Sequence, residues 1–89
     1  MNVYFMEGLK MTIEYRGRNK EENRNHCEAW IICNEDNQKE EEKKDKICEI
    51  IKEKGWEVFN EYGWAVVRVF DKEDYRDLVE VYKKAKKEV

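Results

Sequence analysis

The chain has 89 residues, of which 44% are charged, and its 21 acidic and 18 basic side chains leave a net charge of −3. That length makes a single domain, 1–89, with a small core, and the near balance of charge argues against a duplex-DNA binder, whose footprint is strongly basic. No apolar stretch approaches the ~20 residues of a membrane span, "MNVYFMEGLK" lacks the pattern of a signal peptide, and three cysteines do not suit a disulfide framework, so a cytoplasmic protein with reduced thiols is expected.

In chain order, "VYFM" (3–6) reads as a short extra strand or an N-terminal segment, reversing at Glu7-Gly8. "MTIEY" alternates, with Met11, Ile13 and Tyr15 on one side and Thr12 and Glu14 on the other, which predicts a strand over 11–16. The stretch "RGRNKEENRNH" contains no apolar residue, so 17–26 is expected to be a long hairpin loop. Arg16, Arg18, Lys20, Arg24 and His26 are its cationic candidates, offset by Glu21 and Glu22. It is either a binding loop held by a rigid scaffold or a solvated connection.

"CEAWIIC" follows as a second strand, with Ala29, Ile31 and Cys33 facing inward and Trp30 and Ile32 outward. In "NEDNQKEEEKKDKICEIIKEKG", acidic residues lead and lysines follow, the order a helix dipole favours. Ile47, Ile50 and Ile51 give a buried stripe, and Gly55 is a suitable stop. A helix over 38–54 is predicted, packed only through its second half. "WEVFNEYGWAVVRVF" reads as a hairpin turning within 60–63. The last helix is capped by Asp71, with Asp74 three residues on, and carries Tyr75, Leu78, Val79, Tyr82, Ala85 and Val89 on one face. Lys83, Lys84, Lys86 and Lys87 crowd its C-terminal turns, where the dipole favours them and solvent surrounds them.

The order ββαββα specifies an α+β two-layer sandwich: a four-stranded antiparallel sheet, or five strands with 3–6, carrying two helices on one face. Residues 27–88 supply βαββα, the ferredoxin-like plan without its last strand. A hairpin places the strand at 11–16 in the vacant edge position, giving a circularly permuted version.

At "YGWAVVRVFDKEDYRDLVEVYKK" the chain resembles the third strand and second helix of RNA recognition motif domains. Gly63, Trp64, Ala65 and Val67 fit the family's strand signature. Tyr62, Val66 and Val69 depart from its basic and two of its aromatic positions. "AWIICN" is similar to the partner strand, with Trp30 at the aromatic position, so the likeness spans 29–88. It implies aromatic side chains stacking on single-stranded bases.

Alternation alone reaches the same faces. Ala65, Val67 and Val69 are purely apolar and belong against the helices, which leaves Trp64, Val66, Arg68 and Phe70 on the opposite face beside Trp30, Ile32 and Phe59. An open face this apolar requires a cover. The N-terminal segment, a partner protein or second copy, and single-stranded RNA or DNA are the three occupants to weigh. A net charge of −3, with only Arg68 adding positive charge there, favours protein over nucleic acid.

Catalytic chemistry finds little support. Cys27 and Cys33 lie roughly 20 Å apart along a strand, too far to share a zinc ion, and their common parity points them toward the core. His26 adjoins Cys27, but neighbours on a strand face opposite ways. The glycines at 8, 17, 55 and 63 are scattered and form no phosphate loop. The expectation is a non-enzymatic protein-binding module without metal or cofactor, acting through the open face and the 17–26 loop. One concrete form is a phage or mobile-element inhibitor of a host protein, anti-CRISPR-like. A recognition-motif-type single-strand binder and a homodimeric structural protein are the alternatives.

Overall fold

The computed structural model describes residues 11–18 and 27–89. The expected strand at 3–6, the N-terminal cover and the loop candidates Lys20, Arg24 and His26 lie outside them. Four strands, β1 (Thr12–Arg18), β2 (Cys27–Ile32), β3 (Glu57–Glu61) and β4 (Trp64–Val69), and two helices, α1 (Gln38–Glu53) and α2 (Lys72–Glu88), follow the order ββαββα. The sheet is antiparallel throughout, with strand order β1-β2-β4-β3. β1 occupies the edge beside β2, which is the vacancy a permuted ferredoxin-like plan requires filled.

The first strand is longer than its hydrophobic pattern suggests. The expected loop at 17–26 is entered later, because β1 continues through Arg18. Gly17, the first residue of the expected loop, carries φ 77 at a register shift between Tyr15 and Gly17, the signature of a β-bulge. The bulge admits an extra residue, and a glycine at positive φ lets pairing resume beyond it with Gly17 opposite Glu28. Arg16 is therefore a strand residue, and Arg18 belongs to β1 as well.

The helix-facing side of the sheet is made of alternate residues. Met11, Ala29, Ile31, Cys33, Ala65, Val67 and Val69 are buried there, with Ile13, Tyr15 and Val58 packed against them. The helices contribute Ile47, Cys48 and Ile51 from α1 and Leu78, Tyr82 and Ala85 from α2. Small residues in the central strands let both helices approach closely. On α2, Val81 rather than Val79 joins the margin of the core beside Tyr75, and Val89 is exposed at the end. A 3.6-residue period admits either neighbour at the edge of an apolar stripe.

Both helix starts are capped locally. The Asn37 carboxamide accepts from the Glu40 amide at 3.0 Å, and the Asp71 carboxylate accepts from the Asp74 amide at 2.9 Å. Asp74 closes the second cap by accepting from the Phe70 amide at 2.8 Å and from the Trp56 indole at 3.2 Å.

α1 is packed along its whole length, not only through its second half. Its N-terminal turns bury Glu40, 7% exposed, and Lys44, with no exposed surface. The Lys44 ammonium donates to the carbonyls of Glu61 at 2.6 Å and Trp64 at 3.2 Å, and lies 3.6 Å from Glu41. The Glu41 carboxylate accepts from the Gly63 amide at 3.2 Å, and Glu40 accepts from the Asn34 amide at 2.8 Å. Polar side chains thus clasp the β3–β4 turn to the helix. Hydrophobic periodicity does not reveal this clasp, because lysine is ordinarily a solvated residue.

Candidate functional site: the open sheet face

The face turned away from the helices is organised by register. Ile32 pairs with Trp64, Trp30 with Val66, and Glu28 with Arg68, while Phe59 on β3 pairs with Val66 from the other side. Partners in an antiparallel pair project to the same side of the sheet, so Trp30, Ile32, Phe59, Trp64, Val66 and Arg68 form one contiguous surface. The expected grouping is reproduced for these six. Phe70 lies one residue beyond β4 and is 73% exposed, and it borders a separate hollow of about 440 Å³ with Lys54 and Trp56.

The two indoles stand side by side on the central strands, with ring centroids 5.0 Å apart and planes 27° from parallel. Two rings on diagonal positions of neighbouring strands are within reach of each other, and offset stacking of such rings is worth about 0.5–1.5 kcal/mol beyond burial. The Trp30 indole donates to the Glu28 carboxylate at 3.3 Å, which fixes its tilt.

Both guanidiniums on this face lie over aromatic rings. Arg16 stands 4.3 Å from the centroid of Trp30, and Arg68 stands 4.5 Å from that of Phe59. Each is also paired with a carboxylate of its own face: Arg16 with Glu14 at 2.9 Å and Arg68 with Glu57 at 3.2 Å. The bulge at Gly17 supplies the first of these arrangements, since it leaves Arg16 on a strand beside Trp30 instead of in a loop. Arg16 was expected in the loop set. Its place on the aromatic face was not visible from spacing.

At one end of the face, Trp30, Ile32, Cys33, Glu35, Gly63 and Trp64 line an open depression of about 280 Å³. Gly63 is buried at φ 79, and a side chain there would meet Glu35 at 2.8 Å. The glycine therefore does two things at once. It turns the β3–β4 hairpin at an angle unsuited to other residues, and it makes room for Glu35 to lie across the turn. Glu35 carries no signal in the sequence, whereas Gly63 falls in the expected hairpin turn at 60–63 and fits the strand signature.

Of the thiols, Cys33 borders this depression while Cys48 lies within the core. Burial pushes Cys33 up to about 12, helped by its hydrogen bond to Glu41 at 3.5 Å, and pushes Cys48 up to about 11. Both are protonated core residues at neutral pH. Cys27 is only half-buried at the start of β2, so its parity gives it partial cover where full burial was expected. Of the lysines near the C-terminus, Lys86 has a specific role, donating to the Met11 carbonyl at 3.0 Å and so tying α2 to the start of β1.

No helix among the described residues is long and apolar enough to cross a membrane. Comparison with protein-family models, curated proteins and solved structures finds no match to this chain.

Proposed function

We propose that this chain is a small non-enzymatic binding module whose open sheet face docks on another protein. The observation that carries this reading is a continuous aromatic and aliphatic surface whose cations are already engaged. Trp30, Ile32, Trp64, Val66 and Phe59 provide apolar area at its centre, where interfaces concentrate their binding energy. Arg16 and Arg68 are ion-paired and stacked within the face, while Glu14, Glu28, Glu57 and Glu61 also project from it. Such a balance repels phosphates. The wider sense of the 17–26 loop as a second contact region rests on sequence alone.

The second reading is a single-strand RNA or DNA binder like the recognition motif that residues 29–88 resemble. One observation favours it: Trp30 and Trp64 lie on adjacent central strands, where that family's base-stacking rings lie. Two others weigh against it. The second ring position on β4 is Val66, and neither guanidinium of the face is released to meet a backbone phosphate.

Affinity capture from the native host with the wild type and Trp64→Ala tests the first reading. A specific protein retained by the wild type and lost with the variant supports it. Submicromolar, salt-sensitive binding of an unstructured oligonucleotide that disappears in Trp64→Ala puts the second reading in its place. Mass by light scattering near twice 10.9 kDa, reverting to monomer in Trp64→Glu, identifies the partner as a second copy.

A further inference from the structure

The depression beside Trp64 is the part of the open face with unspent electrostatics. Elsewhere on the face each described ring with a cation has one supplied by the chain itself: Arg16 over Trp30 and Arg68 over Phe59. Trp64 has no such cation among the described residues. Its ring is flanked by two exposed carboxylates, Glu61, its register partner on β3, and Glu35, which lines the same depression. Neither carboxylate is ion-paired among the described residues. The nearest buried cation, Lys44, is already consumed by Glu41 and by the Glu61 and Trp64 carbonyls.

From this arrangement we infer that the Trp64 depression receives a cationic side chain, lysine or arginine, of a basic partner protein. The inference rests on the protein-docking reading and names the chemistry of its partner. An indole face attracts a guanidinium or ammonium, most strongly when the pair is desolvated, and a carboxylate at the rim adds a charge-assisted hydrogen bond. The chain displays this mode of recognition within itself, where Arg16 stacks on Trp30 and pairs with Glu14 and Arg68 stacks on Phe59 and pairs with Glu57. At Trp64 the ring and the carboxylates are present and the cation is left for a partner. Glu35 lies across the hairpin turn because Gly63 has no side chain to exclude it. Glu61 extends the same complementarity toward a basic surface, and the overall charge of −3 favours its approach.

The test uses the full chain and a tetra-arginine peptide, with tetra-glutamate as the control, followed by NMR of the indole N–H signals and by tryptophan fluorescence. Tetra-arginine is expected to shift the Trp64 indole signal saturably, with little change at Trp56, and to bind less tightly as salt rises. Glu35→Gln and Trp64→Leu are each expected to weaken it by about fivefold or more, in line with one cation–π contact or one charge-assisted pair. Glu35 is exposed, so Glu35→Gln keeps the fold and leaves the assignment testable even where the tryptophan variant is damaged. A Trp64 signal that stays in place, or equal binding by wild type and Glu35→Gln, overturns the inference. Capture of a protein partner that depends on Trp64 but not on Glu35 or Glu61 also overturns it, while leaving the docking face intact. Loss of both the peptide response and all Trp64-dependent capture removes the two together.

Discussion

The two sides of this sheet are built from the same strands and differ in almost every physical respect. The helix side uses small and β-branched residues, Ala29, Ile31, Ala65, Val67 and Val69, all at or near zero exposure. The open side uses the large residues Trp30, Trp64 and Phe59 between charged neighbours, and all of them keep part of their surface exposed. Small residues on the first side allow helices to pack at close range, so that side holds the fold together. Large rings on the second side meet one another, guanidiniums and the aliphatic side chains opposite them. Alternation along a strand lets one chain segment meet both demands without compromise.

On that division, the largest stability losses belong to the helix side, above all to its polar clasp. Lys44→Ala leaves Glu41 without its buried counter-charge and the Glu61 and Trp64 carbonyls without a donor. Breaking a buried pair in this way costs about 3–5 kcal/mol, and urea denaturation is expected to show the variant largely unfolded or close to it. Lys44→Met, which fills the same space without the charge, is expected to recover only part of the loss, since the carbonyls stay unsatisfied.

Ile31→Ala, at the centre of the apolar layer, comes next. Removing a fully buried branched side chain is expected to lower the unfolding free energy by about 2–4 kcal/mol, measured by the same titration.

The buried titratable groups of the helix side sharpen the contrast through pH. Cys33 and Tyr82 are each pushed up to about 12 and Cys48 to about 11, with burial as the leading cause in all three. The folded state holds these protons more tightly than the unfolded chain, so their contribution is complete below about pH 9, the ordinary thiol value, and declines as pH rises toward 11–12. Denaturation midpoints are expected to fall steadily above pH 9, and Cys48→Ala, though weaker at neutral pH, is expected to show a shallower fall. In the same series, a thiol reagent at pH 8 is expected to label half-buried Cys27 first and to reach Cys33 and Cys48 only through unfolding.

The open side gives the smallest changes in stability. Trp64→Ala removes one ring of the indole pair and is expected to cost about 1 kcal/mol, while abolishing partner capture. Phe70→Ser, at a side chain 73% exposed and beyond the end of β4, is expected to stay within about 0.5 kcal/mol of the wild type. A Trp64→Ala variant as damaged as Ile31→Ala would show that the open face is part of the structural core and dissolve the comparison.

Periodicity alone determined a good deal of this protein. Strict alternation in "WAVVRVF" and "CEAWIIC" sorted inward from outward residues, because a strand's side-chain period is two whatever surrounds it. The stripe of isoleucines and the capped start at Asp71 placed both helices, and the element order placed β1 at the sheet edge. Local chemistry is sufficient for such features. Tertiary structure alone decided the rest. Gly17 became a bulge instead of a loop because β2 was available to pair with beyond it, and this carried Arg16 onto Trp30. Lys44 became a core residue because two backbone carbonyls of a distant turn accept its protons. Glu35 came to line the aromatic depression because Gly63, remote in sequence, has no side chain to exclude it. In each case a polar or flexible residue took its role from partners far along the chain, and the energy of such contacts depends on geometry that no local pattern encodes.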